Sequence, residues 1–362
     1  MKILHLIYDH TKNPWVAGGG AVRAHEIYKR LAHRHEITIV SGRYPGSSDY
    51  KEEDLTYRFV GTARNNYVLS TFCYACAASG FVRERGKGVD IIIEDFAPYN
   101  PLFSPLSLKA PCAVQLHHRE GVNLVKRYLL LGLPFVLVER FYPGLFRNVI
   151  CVSEASRKKF GVAGAVVIPN GIDKVADSVP AEGDSISFVG RLQLHNKGLD
   201  TLLGAMPMVD ARLGIAGRGR DEGKVRSLIK DNKLESRVQL RGFLSDARKE
   251  QFISESMFMV LPSRYEGQGI VILEAAACGR PVIVSDIPEL NYAVEAGFGL
   301  SFRTGDAEDL AGKMNFLLGN QAARHSMGMR AREYAKKFTW DRIAGEYEKY
   351  LLEIVARSKR DI

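Results

Sequence analysis

The sequence predicts an α/β protein made of two doubly wound, Rossmann-like domains. Three observations lead there. The chain has 362 residues, more than one hydrophobic core ordinarily organises. Short apolar runs alternate with stretches of helical periodicity along nearly its whole length, the pattern of a parallel sheet covered by helices. That alternation stops across IPNGIDKVADSVPAEGDS at 168–185, a stretch rich in Pro, Gly and Asp, and then resumes. The expected division is an N-terminal domain over 1–175, a C-terminal domain over 176–338 and a final helix over 339–362.

The first domain opens on KILHLIY, read as a buried strand. It has neither the apolar length nor the small-residue cleavage site of a signal peptide. A glycine turn at 17–20 follows, then AVRAHEIYKRLAHR, a helix with Val22, Ile27 and Leu31 as its apolar positions. EITIVSG and YRFVGTA are strands, 67–85 a helix, VDIIIED a strand, and CAVQLHH a strand ending in two histidines. Residues 122–147 read as helical with a break at Pro134, and VICVS closes the domain. The second domain runs SISFVGR, a helix at 198–207, ARLGIAG, a helix at 221–233, VQLRGFL, a helix at 246–255, MFMVLPS, a helix over 269–277, PVIVSD and GLSFR. Thr339 is placed to cap the final helix, although Arg342 stands where a capping box has Glu.

Composition narrows the function classes. Apolar residues are 46% and charged residues 25% of the chain, as in globular proteins. Tyr67–Val82 and Tyr128–Val138 fall short of the roughly 20 residues that span a bilayer and read as core helices, with a position at an interface as the alternative for either. The five cysteines are scattered, and Cys73 with Cys76 form a lone C-x-x-C in an apolar helical stretch. With no second pair to complete a zinc site they read as core thiols in a reducing cytoplasm. The net charge is +9, and it is unevenly placed. Residues 1–175 hold 23 Lys and Arg against 15 Asp and Glu, the remainder 27 against 26. A basic N-terminal domain points to an anionic partner such as lipid headgroups. No helix-turn-helix, zinc-finger or RNA-recognition signature is present, which argues against nucleic acid.

In open parallel sheets, ligands bind beyond the carboxyl ends of the strands, and polar and glycine residues gather at those ends here. Gly18, Gly19 and Gly20 open the first helix, where free backbone N–H groups and the helix dipole suit an anion. The spacing is not G-x-G-x-x-G, so the dinucleotide fingerprint fails. Val189-Gly190-Arg191 and Lys197-Gly198 follow the first strand of the second domain, two cations suited to a diphosphate. Gly217 ends the next strand. After MFMVLPS comes Arg264-Tyr265-Glu266-Gly267-Gln268-Gly269, with the amides of 267–270 expected as donors. Glu266 stands on this turn. Glu274 lies inside the helix among Ile272, Leu273, Ala275 and Ala276, where a carboxylate needs partners, and ligand hydroxyls would supply them.

Glu266-x7-Glu274 after PSRYEG, continued by LEAAACGRPVIVSD, resembles the signature of family 4 glycosyltransferases of the GT-B fold. SFVGRLQLHNKGLDTLL resembles that family's donor-phosphate segment, VVIPNGID its interdomain segment, AGGGAVRAHEIYKRLAHRHEITIV its glycine loop and helix, and FTWDRIAGEYEKYL its C-terminal helix. The resemblance runs through nearly the whole chain in the same order. It implies two Rossmann-like domains facing a central cleft, with the last helix crossing back to the N-domain. It also implies retaining transfer of a hexose-type sugar from a nucleotide-diphosphate sugar to an acceptor hydroxyl on a glycan or lipid, with no metal and no other cofactor. Arg191 and Lys197 would neutralise the leaving diphosphate, and Glu274 would bind the ribose. Glu266 would face the donor hexose, and the amides of Gly267, Gln268, Gly269 and Ile270 its hydroxyls. His117 matches the family's histidine near the donor sugar, and Gly19, Gly20, Gly190 and Gly217 would line the donor. The leaving phosphate itself would help to deprotonate the acceptor.

Two positions depart from the family's pattern. Gln268 stands where Phe is frequent, and IPELNYAVEAGFG lacks a glycine soon after Pro-Glu; both bear on sugar identity. Such enzymes typically build cell-envelope glycans, and with the basic N-domain this suggests a cytoplasmic protein at the inner face of the cytoplasmic membrane. The alternatives are a sugar-nucleotide epimerase on the same architecture, and a non-catalytic membrane-surface binding protein.

Overall fold

The computed structural model describes residues 1–15, 18–107, 110–121, 129–162 and 164–360. Ala17 of the glycine turn and the 122–128 part of the helical reading over 122–147 lie outside them. The chain forms two compact units, Met1–Asn170 together with Trp340–Ile362, and Gly171–Thr339.

The first unit is built on a sheet in the order β3-β4-β2-β1-β5-β6-β7-β8. Its strands are β1 (Lys2–Ile7), β2 (Glu36–Gly42), β3 (Tyr50–Glu52), β4 (Leu55–Val60), β5 (Ile91–Asp95), β6 (Cys112–Leu116), β7 (Asn148–Cys151) and β8 (Val166–Val167). Every pairing is parallel except the β3–β4 hairpin. The central strands are apolar on both faces, as a sheet covered on two sides requires; Ile91, Ile92 and Ile93 have no exposed surface. Neither β3 nor β8 was legible as a strand, β3 being short and polar and β8 only two residues long.

The C-terminal helix Trp340–Arg360 belongs to this unit. Trp340, Ile343, Ala344, Tyr347, Tyr350, Leu351, Ile354 and Val355 form its buried stripe, at the spacing of one helical face. That stripe joins the core of the helix Gly19–Leu31, where Ile27, Tyr28 and Leu31 are buried. Arg30 to Asp341 ties the two helices further, and His35, in the turn before β2, bonds Glu348, each at 2.6 Å.

Four expectations need correction. Val22 is exposed, whereas Arg23 is completely buried, because the buried face of that helix runs through Ala24, Ile27, Tyr28 and Leu31. In the helix Tyr67–Arg85, Cys76 is exposed and Cys73 only half-buried. The buried stripe there is Tyr74, Ala78 and Val82, four residues apart, and both thiols lie off it. The same geometry leaves Phe72 exposed. Pro134 does not break a helix; it stands in the first turn of Leu133–Phe141, where a missing N–H costs nothing.

The second unit has a wholly parallel sheet in the order β11-β10-β9-β12-β13-β14. These are β9 (Ser185–Val189), β10 (Arg212–Ala216), β11 (Val238–Gly242), β12 (Ser256–Leu261), β13 (Val282–Ser285) and β14 (Gly299–Phe302). The helices Ala307–Leu318 and Gln321–Ala335 complete its core through Leu310, Met314, Leu317, Met327 and Ala331. Neither was read from the sequence, and the second carries its apolar residues among many charges. Ile172 pairs with Thr339 in a parallel bridge, and its N–H donates to the Phe338 carbonyl at 2.8 Å.

Candidate functional site

In each sheet the chain works outwards on one side, then returns to the centre and works the other way, leaving a switch point between two central strands. In the second unit that point lies between β9 and β12. The loops leaving those two strands carry Gly190–Gly198 and Pro262–Gly269. Two glycines let the loops close on their neighbours. Gly198 has φ +63°, and a Cβ there would stand 1.9 Å from the Pro262 carbonyl oxygen. Gly217, just beyond β10, has φ +142°, and its Cβ would stand 1.9 Å from the Gly190 oxygen.

The closed loops bring Lys197 and Glu266 together. Lys197 Nζ donates to Glu266 Oε1 at 2.5 Å, and the Ser263 hydroxyl donates to the same oxygen at 2.8 Å. Both charged side chains are largely buried, 17% and 12% exposed. Glu266 Oε2 makes no hydrogen bond among the described residues. Arg191, on the same loop as Lys197, is exposed and has no ion-pair partner among the described residues. Arg264 stitches the two loops together. It donates to the His195 carbonyl at 2.8 Å, to Asp200 at 2.7 Å and to the Thr201 hydroxyl at 3.0 Å.

Gly267, Gln268 and Gly269 follow directly and lead into the helix Ile270–Ala277, with Gly269 in the left-handed region as its N-cap. The Tyr292 hydroxyl donates to the Gln268 carbonyl at 3.0 Å. Ile270 is the first helical residue. Glu274 sits one turn further in, and its carboxylate is not without a protein partner: Lys249, from the helix Asp246–Ser254, donates to it at 2.8 Å. Burial would lower the Lys249 pKa, but Glu274 and then Asp246 outweigh it and hold the ammonium above its usual value. The burial argument that singled out Glu274 therefore has a simpler answer than ligand hydroxyls. Lys249 comes from a helix 25 residues away, beyond the reach of local pattern.

The first unit switches between β1 and β5. Gly19 and Gly20 begin the helix after β1, and His117 follows β6, the next strand beyond β5. A Cβ on Gly20 would lie 3.3 Å from His117 Nε2, so the glycine turn and the histidine are neighbours. The histidine donates its Nε2–H to Asp95, at the end of β5. Asp95 also accepts from His5 at 2.8 Å and from Gln115 at 3.0 Å. His118 projects separately and is 47% exposed, 3.9 Å from Glu120.

Sequence reasoning missed Arg264, Ser263, Lys249, His5 and Asp95. VDIIIED carried Asp95 in plain view at a strand's carboxyl end, the position that signals a ligand-facing residue. The others become recognisable only through tertiary contacts. Among the described residues, no group of three or more His, Cys, Asp or Glu side chains is placed to hold a metal ion.

Two family models cover most of the chain end to end: Glycosyltransferase Family 4 over residues 17–175 and Glycosyl transferases group 1 over residues 173–334. The chain belongs to the family 4 glycosyltransferases. An uncharacterised glycosyltransferase of Methanocaldococcus jannaschii is 32% identical to it over 201 residues, 54% of this chain and 56% of that protein. The chain thus matches about half the length of that relative. A GDP-mannose:cellobiosyl-diphosphopolyprenol alpha-mannosyltransferase of Xanthomonas oryzae pv. oryzae is 28% identical over 382 residues, 96% of this chain and 95% of that one. The solved sucrose-phosphate synthase of Thermosynechococcus elongatus superposes with a TM-score of 0.83 at 21% identity, covering 99% of this chain and all of that one. The fold of this family 4 member is therefore GT-B.

Proposed function

We propose that the protein transfers a hexose from a nucleotide-diphosphate sugar to an acceptor hydroxyl with retention of anomeric configuration. The observation that carries this reading is the cation pair at the β9–β12 switch point: Arg191 exposed without an ion pair, and Lys197 held in place by Glu266. Anion-binding side chains set where two loops converge suit a diphosphate, and they would take the part that a metal ion plays elsewhere.

In the step itself, the bond between the sugar's anomeric carbon and the diphosphate oxygen breaks, and the electron pair leaves with the diphosphate. The acceptor oxygen bonds to the same face of that carbon, and its proton passes to the leaving phosphate. Arg191 and Lys197 stabilise the charge that develops there. Glu266 offers Oε2 to a hexose hydroxyl, with the amides of 267–270 beside it. Glu274 reads the ribose while Lys249 holds it.

The acceptor is a lipid-linked glycan, met at the cytoplasmic face of a membrane. Leu129, Leu133, Leu137, Phe141 and Leu145 are all exposed and recur every fourth residue, with exposed Arg140 beside Phe141. An exposed apolar stripe with a cation beside it suits an anionic bilayer surface. No helix among the described residues is long and apolar enough to cross a membrane. The full-length relative's name, which specifies GDP-mannose and a diphosphopolyprenol acceptor, supports both halves of the proposal.

The test is melting of the protein against UDP-, GDP-, ADP- and TDP-sugars in EDTA, followed by turnover with the stabilising donor. A ligand that binds the folded state raises the melting temperature by mass action. The expected result is stabilisation by one nucleotide family that disappears in Lys197→Ala. A fully active Lys197→Ala protein would remove the diphosphate assignment, and conversion of the donor without acceptor would replace transfer by epimerisation. Co-sedimentation with anionic and neutral vesicles across salt tests the membrane; equal absence of binding in all would remove it.

A further inference from the structure

We infer that a buried relay, Tyr28–His5–Asp95, locks His117 as its Nε2–H tautomer, so that Nδ1 is presented as a fixed hydrogen-bond acceptor for a substrate hydroxyl. Asp95 and His5 are then positioning residues acting through His117. The use of that acceptor in sugar transfer rests on the function proposed above; the tautomer does not.

The argument begins at Asp95, whose side chain is 5% exposed. Its Oδ1 faces His117 Nε2 and Gln115 Nε2, and its Oδ2 faces His5 Nε2. An ionised carboxylate only accepts hydrogen bonds, so both histidines must carry hydrogen on Nε2. Asp95 is thus the common acceptor of three hydrogen bonds, from His117, Gln115 and His5.

The charge balance sets the state of His5. Asp95 is coupled through Gln115 to Arg23: Arg23 Nε donates to Gln115 Oε1 at 3.0 Å, and Gln115 Nε2 donates to Asp95 at 3.0 Å. Arg23 and His5 have no exposed surface. One buried cation already balances one buried anion, and a second cation on His5 would be uncompensated. His5 is therefore neutral, and its Nδ1 accepts from the Tyr28 hydroxyl at 2.9 Å. That hydroxyl stands 3.4 Å from the hydroxyl of Tyr347 on the C-terminal helix.

His117 differs from His5 in one respect. Its side chain is 22% exposed, and its Nδ1 has no partner among the described residues. The tautomer of a histidine is set by the bond its other nitrogen makes, so the relay leaves the lone pair on Nδ1, while Nε2 and Cε1 are the ring atoms beside Gly20. A strand-end histidine of no consequence would not need a buried carboxylate, a second buried histidine and a tyrosine behind it.

The test is a long-range 15N–1H spectrum of the full-length protein labelled at histidine, with the signal assigned by loss in His117→Gln. The expected result is His117 as Nε2–H. A wild-type spectrum showing Nδ1–H at His117 overturns the inference whatever the activity. Asp95→Asn makes a sharper demand. Arg23 fixes the Gln115 amide, so the Asn oxygen stays on the Gln115 and His117 side and its NH2 meets His5. His5 must then switch to Nδ1–H, and transfer should fall about ten- to a hundredfold, the span of one charge-assisted hydrogen bond. Unchanged tautomers with unchanged turnover would refute the relay. A protein with the expected tautomers that transfers no sugar would leave the relay standing and remove the transferase reading.

Discussion

Replacing Arg23 by Met tests whether the buried polar network of the first unit is as tightly satisfied as its geometry implies. The guanidinium donates to the Pro169 carbonyl at 2.5 Å, the Ile168 carbonyl at 2.8 Å, Gln115 at 3.0 Å and Asn170 at 3.3 Å. It also lies 5.8 Å from the centre of the Tyr347 ring. Methionine fills much of the volume but removes the hydrogen bonds to two carbonyls and two side-chain amide oxygens, and removes the charge that balances Asp95. Stranding one side of a buried ionic network costs about 3–5 kcal/mol. At about 2–4 °C per kcal/mol for a domain of this size, the transition of the first unit should fall by about 6–20 °C. Scanning calorimetry reads it, and amide exchange on residues 166–170 localises it, since those carbonyls hold the end of β8. Arg23→Lys should recover only part of the loss, because one ammonium cannot span four acceptors. A shift below 3 °C, in proportion to about 1 kcal/mol, would mean that water or relaxation satisfies the stranded groups, and the reasoning about balanced burial would fail.

Lys249→Met should destabilise the second unit by about 1–2 kcal/mol, between an exposed and a buried ion pair. The Lys249 pKa is raised in the folded state, so the wild-type advantage is full below the unfolded pKa, 10.5, and lost as pH rises through the folded value. Urea titrations at pH 7 and above 11 that gave the same difference would contradict it. Gly217→Ala should abolish nucleotide binding by calorimetry, since its Cβ would strike the Gly190 oxygen. Gly223→Ala, with open space at its Cβ and a helical position, should be neutral or stabilising by up to about 1 kcal/mol; similar losses in both would refute the close-approach argument. With a thiol reagent on the native protein, Cys76 should react first. Cys112, Cys151 and Cys278 should wait for unfolding, being buried with thiol pKa values pushed up to about 12 by desolvation. Rapid reaction of Cys151 would overturn that order.

The sequence alone determined the architecture. Apolar runs such as VDIIIED and PVIVSD can only be strands buried on both faces, and their alternation with helical periods allows little but parallel layers. It also placed Gly190, Lys197, Glu266 and His117 in the segments that leave strands, and a parallel sheet gathers those ends. Tertiary structure decided how those residues are occupied. Pairings such as Lys197 with Glu266, Lys249 with Glu274, and His5 and His117 with Asp95 join residues 22 to 90 positions apart. Periodicity records which face of an element is buried, not what lies against it. For the same reason Arg23 looked like an ordinary surface cation: helical spacing placed it near the apolar stripe, but only the packed chain shows the carbonyls and the amide that make its burial affordable. Cys76 and Val22 erred in the opposite direction, apolar by type yet turned outwards, because the angular position of a helix on its sheet is set by the sheet it packs on.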